Sequence, residues 1–187
     1  MAFVMMAQAV DDPGARARAG DVAAFETVMR QYERLVLVTA LRLLGNVEDA
    51  KDVSQEVFLR LYRNMGKVEA ANNYQAWLYR VTVNVCHDVG RKRKPSVPVE
   101  DVPELVSRAA DPHQDLTGAE RQRVLQMSLQ ALSPKEREAL VLRDLEGLST
   151  EEVARTLGSS EATVRSQISK ARVKIRDFVE RYFRGRL

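Results

Sequence analysis

The stretch LEGLSTEEVARTLGSSEATVRSQISKARVKIR, residues 145–176, decides the fold because it encodes two helices joined by a glycine turn. A Ser-x-x-Glu capping box begins at Ser149 and is followed by apolar residues at helical spacing. Gly158 can adopt the positive φ that a helix C-terminus often requires, and Ser159 or Ser160 can cap the next helix. These local signals predict a helix-turn-helix, a motif that reads DNA.

The second helix of this motif has one apolar face and is otherwise polar and basic. Residues 159–187 hold eight Lys or Arg and three Asp or Glu, a net charge of +5 that would attract phosphate. The apolar face recurs at steps of four and three residues, at Val164, Ile168, Ala171, Ile175, Phe178 and Tyr182. Mostly short side chains lie opposite and would let the helix enter a major groove: Ala162, Ser166, Ser169 and Lys170. A solvated amphipathic helix is the alternative interpretation.

Composition indicates a soluble protein without metal or cofactor. The 187 residues are 45% hydrophobic and 29% charged, which suits one or two small domains. The apolar start, residues 1–10, is too short to span a bilayer, so we expect no membrane insertion. Cys86 is the single cysteine, and with only His87 and His113 no zinc-ligand spacing exists. We therefore expect no disulfide, no metal, no cofactor and a cytoplasmic location.

Charge changes sign twice along the chain and divides it into domains. Residues 1–94 hold 14 basic and 11 acidic side chains. Residues 95–118 hold one basic and five acidic side chains, and residues 119–187 hold 14 basic and 10 acidic ones. The middle segment contains four of the six prolines and predicts an extended linker. No useful strand pattern occurs, so we predict an all-α fold. Its two small helical domains, residues 21–94 and 119–187, follow an N-terminal extension, residues 1–20.

The first domain begins with a helix that should end near Gly45 and Asn46. In the next helix, VEDAKDVSQEVFLRLYRN, the inward positions are Ala50, Val53, Val57, Phe58 and Leu61. Three acids share another face of that helix, Asp49, Asp52 and Glu56, and we call them the acidic stripe. A partner offering Arg or Lys would relieve their mutual repulsion. The stripe is therefore either a docking site or a solvated face.

A loop and a basic helix end complete the first domain. Asn72, Asn73 and Tyr74 combine bidentate hydrogen bonding with a stacking ring, which suits unpaired bases. The helix that follows should bury Trp77, Leu78, Val81, Val85 and Val89. It ends in the basic run of residues 91–94, which fits either phosphate contact or a helix terminus favoured by the dipole.

Three ordered stretches carry a resemblance to a known family: LLGNVEDAKDVSQEVFLRLYR, YQAWLYRVTVNVCHD, and ALSPKEREALVLRDLEGLSTEEVARTLGSSEATVRSQISKAR. The chain resembles the extracytoplasmic-function (ECF) sigma factors over residues 21–182. The resemblance implies a bacterial RNA polymerase specificity subunit with two helical domains, one for each promoter element. Its implied partners are core RNA polymerase, promoter DNA and an anti-sigma factor.

The resemblance also implies a role for each matching position. The residues facing the clamp helices of the largest polymerase subunit would be Asp49, Asp52, Gln55, Glu56 and Leu59. Those at the minus-ten element, where a flipped base would be held, would be Lys67, Asn72, Asn73, Tyr74, Trp77, Arg80, Asn84, Arg91, Lys92, Arg93 and Lys94. Those reading the minus-thirty-five duplex would be Ser160, Glu161, Thr163, Arg165, Ser166, Gln167, Ser169, Lys170 and Arg172.

Some positions depart from the family pattern. Gln167 and Lys170 stand where Arg is common, and a glutamine can pair with adenine where Arg would choose guanine, so a less guanine-rich minus-thirty-five element is expected. Tyr74 stands where the family often has Phe. The acidic linker would either mimic RNA in a positively charged polymerase channel or serve as a tether.

Two other classes of function compete with this interpretation. A stand-alone helix-turn-helix regulator would bind specific duplex DNA without polymerase. Such proteins usually dimerise, so that two recognition helices contact the DNA. An enzyme would need a paired acid and base, an activated nucleophile or a phosphate-binding loop, and the sequence offers none of these. We therefore expect no catalytic residues.

Overall fold

The computed structural model describes residues 13–65, 68, 74–92 and 115–184, and within them it is helical with no strand. This part of the chain confirms the all-α prediction. The helices are α1 Pro13–Arg18, α2 Val22–Leu44, α3 Val47–Asn64, α4 Tyr74–Lys92, α5 Asp115–Gln130, α6 Pro134–Leu140, α7 Thr150–Leu157 and α8 Glu161–Arg184, with a π turn, Val141–Leu145, directly after α6.

Local capping sets the corner between α2 and α3. Gly45 has φ of 73°, in the left-handed region, and its N–H bonds to the carbonyl of Leu41. Asn46 caps α3 by accepting a hydrogen bond from the N–H of Asp49 at 3.0 Å. The predicted helix end at Gly45 and Asn46 is confirmed, and α3 folds back against α2.

The N-terminal domain is built around the inward faces of α2, α3 and α4. All five inward positions predicted on α3 are buried, with Val53, Val57 and Leu61 at zero exposure. On α4, Leu78 and Val85 are buried as predicted, whereas Trp77, Val81 and Val89 are partly buried against the core. Together these apolar faces form the N-terminal part of a hydrophobic cluster that continues into the C-terminal domain.

A second face of α4 is buried as well, and the sequence did not predict it. Tyr79, Thr82, Val83 and Cys86 are each at most 5% exposed. The Tyr79 hydroxyl donates to Glu146 of the C-terminal domain at 3.0 Å. Part of α4 is therefore covered by a domain more than fifty residues further along the chain.

The segment predicted as an N-terminal extension contains α1, which is fixed to the first domain. Arg16 pairs with Asp21 at 2.7 Å, and the Tyr74 hydroxyl donates to the carbonyl of Gly14 at 3.2 Å. Ala17 is buried in the core. This extension therefore adds to the N-terminal domain. Its first twelve residues lie outside the described part of the chain.

The predicted linker, residues 95–118, overlaps the start of α5. This helix begins at Asp115, so the last four residues assigned to the linker are helical. The remaining linker residues, 95–114, lie outside the described part of the chain. The helical segment that leads into the helix-turn-helix is thus longer than the sequence indicated.

Arg137 of α6 donates hydrogen bonds to the C-terminal ends of two helices, α2 and α5. Its guanidinium donates to the carbonyls of Leu129, Gln130 and Leu132 at 2.8 to 3.1 Å, which satisfies the C-terminal end of α5. It also donates to the carbonyl of Leu43 in α2 at 2.5 Å. One side chain therefore serves the fold of the C-terminal domain and its contact with the N-terminal domain.

Replacing Arg137 with Ala should lower the free energy of unfolding by about 2–3 kcal/mol, because it leaves carbonyl groups of both domains without their charged donor. Chemical denaturation followed by circular dichroism would measure the change. Lys135→Ala, at an exposed position two residues away, is the matched control and should change it by less than about 0.5 kcal/mol. Equal effects of the two substitutions would contradict the role given to Arg137.

Candidate nucleic-acid interface

The predicted helix-turn-helix forms with the predicted caps. Ser149 and Glu152 make a reciprocal capping box at the start of α7, with bonds of 2.7 and 3.2 Å. Gly158 ends α7 with φ of 60°. Ser160, rather than Ser159, caps α8 by accepting from the N–H of Thr163 at 3.1 Å. The turn is therefore encoded locally, as the sequence indicated.

The buried face of α8 holds the helix in place and leaves the predicted DNA-reading residues outward. Val164, Ile168 and Ala171 are at most 6% exposed, while Ile175 is partly buried. Of the predicted minus-thirty-five residues, Glu161 and Gln167 are half-buried, and the exposed ones are Ser160, Thr163, Arg165, Ser166, Ser169, Lys170 and Arg172. The structure thus brings this group together on one continuous surface of α8.

A concave surface of about 440 Å³ beside α8 gathers four arginines: Arg143, Arg165, Arg172 and Arg176. Arg172 is held by Asp144 through two hydrogen bonds of 2.7 and 2.8 Å, and these raise the pKa of its guanidinium. Such a cluster suits a phosphate backbone. The site prediction missed Arg143 and Arg176. Helical spacing from Arg172 could have found Arg176, but Arg143 belongs to the π turn and arrives through tertiary packing.

One ion pair lies within α8 and another joins α8 to α6. Arg165 pairs with Glu161 one turn earlier. Lys174 donates to both carboxylate oxygens of Glu136 in α6 at 2.8 Å. These bonds, together with those from Ser133, hold the pKa of Glu136 below its ordinary value of 4.5, although burial opposes them. The orientation of α8 on α6 therefore depends on an ionised carboxylate.

Glu136→Gln should lower the free energy of unfolding at pH 7 by about 1–2 kcal/mol, since the charged hydrogen bonds from Lys174 are lost. The folded pKa is depressed, so the ionised carboxylate stabilises the fold above pH 4.5 and this contribution disappears as pH falls through the folded pKa. Denaturant titrations at pH 7, 5, 4 and 3 should show the wild type and the variant converging at the acidic end.

Glu180→Gln, which removes an exposed carboxylate of α8, is the control for this pH series. Its difference from wild type should stay small at every pH. A Glu136→Gln difference that does not shrink with acid would count against the ion pair as its source.

Three of the predicted minus-ten residues on α4 lie on its outer face. Arg80, Asn84 and Arg91 are exposed, and Arg91 donates to Asp88 at 2.6 Å. Lys67, Asn72, Asn73, Arg93 and Lys94 lie outside the described residues, as does the side chain of Lys92.

Tyr74 is the first residue of α4, and its side chain contacts the N-terminal part of the chain. Its hydroxyl accepts from Arg18 at 2.7 Å, and its ring lies 6.3 Å from that of Tyr32. Trp77 is partly buried against the core. These two aromatic residues therefore have structural contacts, and their predicted contact with unpaired bases stays a prediction.

The acidic stripe adjoins an apolar groove of about 510 Å³ between α2 and α3. Asp52, Gln55 and Leu59 are exposed, whereas Asp49 and Glu56 are half-buried. Glu56 accepts from Arg60 at 2.7 Å. The five predicted polymerase-facing residues thus lie along one helix, beside a surface that could receive apolar side chains.

The apolar groove contains residues that the site prediction missed: Phe25, Met29, Leu37, Phe58 and Tyr62. Leu59 and Tyr62 are 49% and 57% exposed, which is high for large apolar side chains. Phe25 and Tyr62 pack edge to face with their ring centres 5.1 Å apart. Periodicity assigned Phe58 to the inward face of α3 and made no statement about Tyr62, so it gave no sign of an open groove.

Cys86 belongs to the interior of the protein. It is 5% exposed, and burial, with a smaller contribution from Glu138, raises the pKa of its thiol to about 12. Its neighbour His87 contacts Glu138 of α6. Among the described residues no group of His, Cys, Asp and Glu could hold a metal ion, and none of the described helices combines the length and apolarity needed to cross a bilayer.

Two family models match the chain: Sigma-70 region 2 over residues 28–95, and Sigma-70, region 4 over residues 122–175. The RNA polymerase sigma-H factor of Pseudomonas aeruginosa is 31% identical over 170 residues, which cover 86% of this chain and 88% of the relative. The chain belongs to the RNA polymerase sigma factors. The ECF sigma factor SigE of Mycolicibacterium smegmatis is 37% identical over 174 residues, or 87% of this chain. The predicted ECF sigma family is thereby confirmed.

The relatives differ in length and the fold is shared more widely. The chain spans 65% of the length of the mycobacterial SigE. The sigma factor RpoE of Bartonella quintana, solved with the anti-sigma factor NepR, has a similar fold with a TM-score of 0.67 and 21% identity. That likeness covers 85% of this chain and 98% of RpoE. The helical architecture is therefore common to this chain and a more distant sigma factor.

Proposed function

We propose that this chain directs core RNA polymerase to specific promoters and assists promoter melting, as an ECF sigma factor. The observation that carries the proposal is the presence of both sigma regions in one chain, each with an outward surface of suitable chemistry. The surface of α8 is basic and suits duplex DNA, while that of α4 carries Arg80, Asn84 and Arg91. The chain itself would supply binding and positioning, and the polymerase would supply the chemistry.

The acidic stripe and the apolar groove are the proposed polymerase surface. Exposed Leu59 and Tyr62 would bury apolar area, and Asp52 and Glu56 would meet basic residues of the clamp helices. Apolar burial would provide affinity, and charge complementarity would fix the register. This combination supports a docking site over a merely solvated face.

An anti-sigma factor is the second proposed protein partner, acting with polymerase and DNA in the cytoplasm. The Bartonella quintana sigma factor of similar fold was solved with such a protein. The groove with Leu59 and Tyr62 would be a natural target, because covering it would keep polymerase away. Competition between an anti-sigma factor and core polymerase would then control activity.

The primary experiment is a titration of labelled full-length protein into purified bacterial core polymerase, followed by sequencing of transcripts made from genomic DNA. One-to-one binding with discrete new start sites is expected, and the start sites would reveal both promoter elements. Specific duplex binding by the protein alone, without polymerase binding, would instead indicate a stand-alone helix-turn-helix regulator.

Asp52→Arg combined with Glu56→Arg should weaken binding to core polymerase by about a hundredfold, because two like charges would then face a basic surface. The fold should be retained, since Asp52 is exposed and Glu56 forms its ion pair with Arg60, one turn further along the same helix. Fluorescence titration would measure the dissociation constant. Glu26→Arg, an exposed acid on α2, is the control and should bind like wild type. Unchanged affinity of the double variant for core polymerase would contradict the proposed docking site on α3.

Asn73→Ala should reduce promoter melting more than closed-complex binding, by about tenfold, because a lost base contact no longer offsets the cost of unstacking. Permanganate reactivity of unpaired thymines and gel-shift titration would measure the two steps on the same promoter. A template with the minus-ten region already unpaired should restore most of the loss. Equal losses in both steps would contradict the proposed contact between Asn73 and an unstacked base.

A further inference from the structure

Asp144 is an acidic residue at the edge of the basic surface of α8. Its carboxylate bonds to Arg172, one of the four arginines that line the concave surface beside this helix. A carboxylate at this place repels phosphate and so opposes the attraction that the arginines provide. What Asp144 contributes to this surface must therefore come from its effect on Arg172.

The two hydrogen bonds engage one edge of the Arg172 guanidinium. Nε donates to Oδ2 of Asp144 at 2.8 Å, and Nη2 donates to Oδ1 at 2.7 Å. A guanidinium has five N–H donors, so this pairing uses two and leaves three, two of them on Nη1 and one on Nη2. The side chain is 61% exposed, so a phosphate can approach it. The Nη1–Nη2 end of the same planar group can therefore bind two oxygens of one phosphate.

The sequence of α8 gives Arg172 no acidic neighbour on the same face of the helix. The positions three and four residues away are Ile168, Ser169, Ile175 and Arg176. None of them is acidic, and Arg176 repels Arg172 as a like charge one turn further on. In the described part of the chain, the ion pair of Arg172 is made with Asp144, outside the helix.

Asp144 belongs to a part of the fold that is anchored in the core. It lies in the π turn, where the N–H of Glu146 bonds to the carbonyl of Val141 at 2.9 Å. Val141 and Leu142 have zero exposure, so the turn is fixed from below. The carboxylate reaches α8 from a position 28 residues earlier in the chain than Arg172. It therefore orients the guanidinium relative to the scaffold under α8 and not only to its own helix.

We propose that Asp144 is a positioning residue for DNA. It holds Arg172 by the Nε–Nη2 edge and presents the Nη1–Nη2 end to a backbone phosphate of the duplex that α8 contacts. The inference rests on the part of the proposed function that assigns α8 to duplex DNA. Holding one rotamer of a flexible side chain in advance lowers the entropy lost on binding. Phosphate contacts carry no sequence information, so this role concerns the orientation of α8 on any duplex.

Two effects of the Asp144 carboxylate on DNA affinity have opposite signs. Coulomb repulsion alone predicts that removing its charge would tighten duplex binding by about two- to threefold. The positioning role predicts weaker binding, because the phosphate would then have to order a released Arg172 side chain. The direction of the change therefore separates a positioning residue from an acid that merely lies near the DNA.

The test measures binding of the full-length protein to a fluorescein-labelled, mixed-sequence DNA duplex by anisotropy at several salt concentrations. Arg165, Arg172 and Arg176 are exposed in the full chain, so the duplex can reach them without polymerase. Asp144→Asn keeps the shape of the side chain but leaves one acceptor oxygen, and it should bind about three- to fivefold more weakly than wild type. Its salt dependence should also become shallower, although the protein has gained positive charge.

A double-mutant cycle with Arg172 gives the readout that a purely structural role would not change. Arg172→Gln should weaken binding about tenfold and lower the salt slope by about one phosphate contact. In that background Asp144→Asn should tighten binding, because only its repulsion of phosphate is then removed. Arg172→Lys keeps the charge but lacks the planar fork, and it should show the same reversal. This second background keeps the test decisive if Arg172→Gln folds poorly.

Asp177→Asn is the matched control, because it makes the same chemical change beside Arg176 of the same surface. The closest approach of these two side chains, Nε to Oδ1, is 3.9 Å, which is too long for a hydrogen bond. This variant should bind DNA as tightly as wild type or more tightly. Unchanged or tighter binding by a folded Asp144→Asn protein, checked by circular dichroism, would overturn the positioning role. Weakening that persists in the Arg172→Gln background would overturn it as well.

Failure of the proposed function gives a different result. A wild type that binds no duplex, or an Arg172→Gln variant that binds like wild type, would remove α8 as a DNA surface and the inference with it. Weaker binding by Arg172→Gln, without any weakening by Asp144→Asn, would keep α8 as a DNA surface and remove only the role of Asp144.

Discussion

The carboxylate of Glu146 accepts hydrogen bonds across the boundary between the two domains and helps to fix their relative position. A largely buried carboxylate is costly unless several donors satisfy it, and here Thr39, Arg42 and Tyr79 supply three. Because the donors come from two different helices, α2 and α4, the carboxylate fits only one relative position of the domains. Its contribution is therefore mainly specificity, since desolvation of the ion pair offsets much of its attraction.

Within each domain, local signals predicted several helix ends and the inward faces of two helices. The capping box at Ser149 and the left-handed Gly158 lie where the sequence placed them, α2 ends next to Gly45 as predicted, and Ser160 is the cap used of the two that were predicted. These features involve residues three or four positions apart, so their geometry follows from the sequence of one turn. The inward faces of α3 and α8 were predicted for the same reason. These signals predicted the all-α class and the helix-turn-helix, whereas the family was inferred from the resemblance of three ordered motifs.

Contacts between distant segments could not be predicted in this way. Tyr79 and Cys86 are buried by elements of the C-terminal domain, and Arg143 joins the arginines of α8 through the π turn. Helical periodicity states which residues share a face, but it does not state which partner covers that face. It therefore assigned Phe58 to the inward face of α3 and gave no sign that this residue also lines an open groove. The sequence thus predicted the charged part of the proposed polymerase surface and missed its apolar part.

Polar bonds and apolar packing both join the two domains. Arg137, Gln126 and Gln130 donate to carbonyls at the end of α2, and Glu146 adds an ion pair with Arg42. Buried apolar residues of both domains, such as Leu61 in one and Leu129 in the other, belong to one continuous hydrophobic cluster. Apolar burial is non-directional, whereas each polar bond requires a particular donor opposite a particular acceptor. The apolar cluster therefore stabilises the contact between the domains, and the polar bonds determine its geometry.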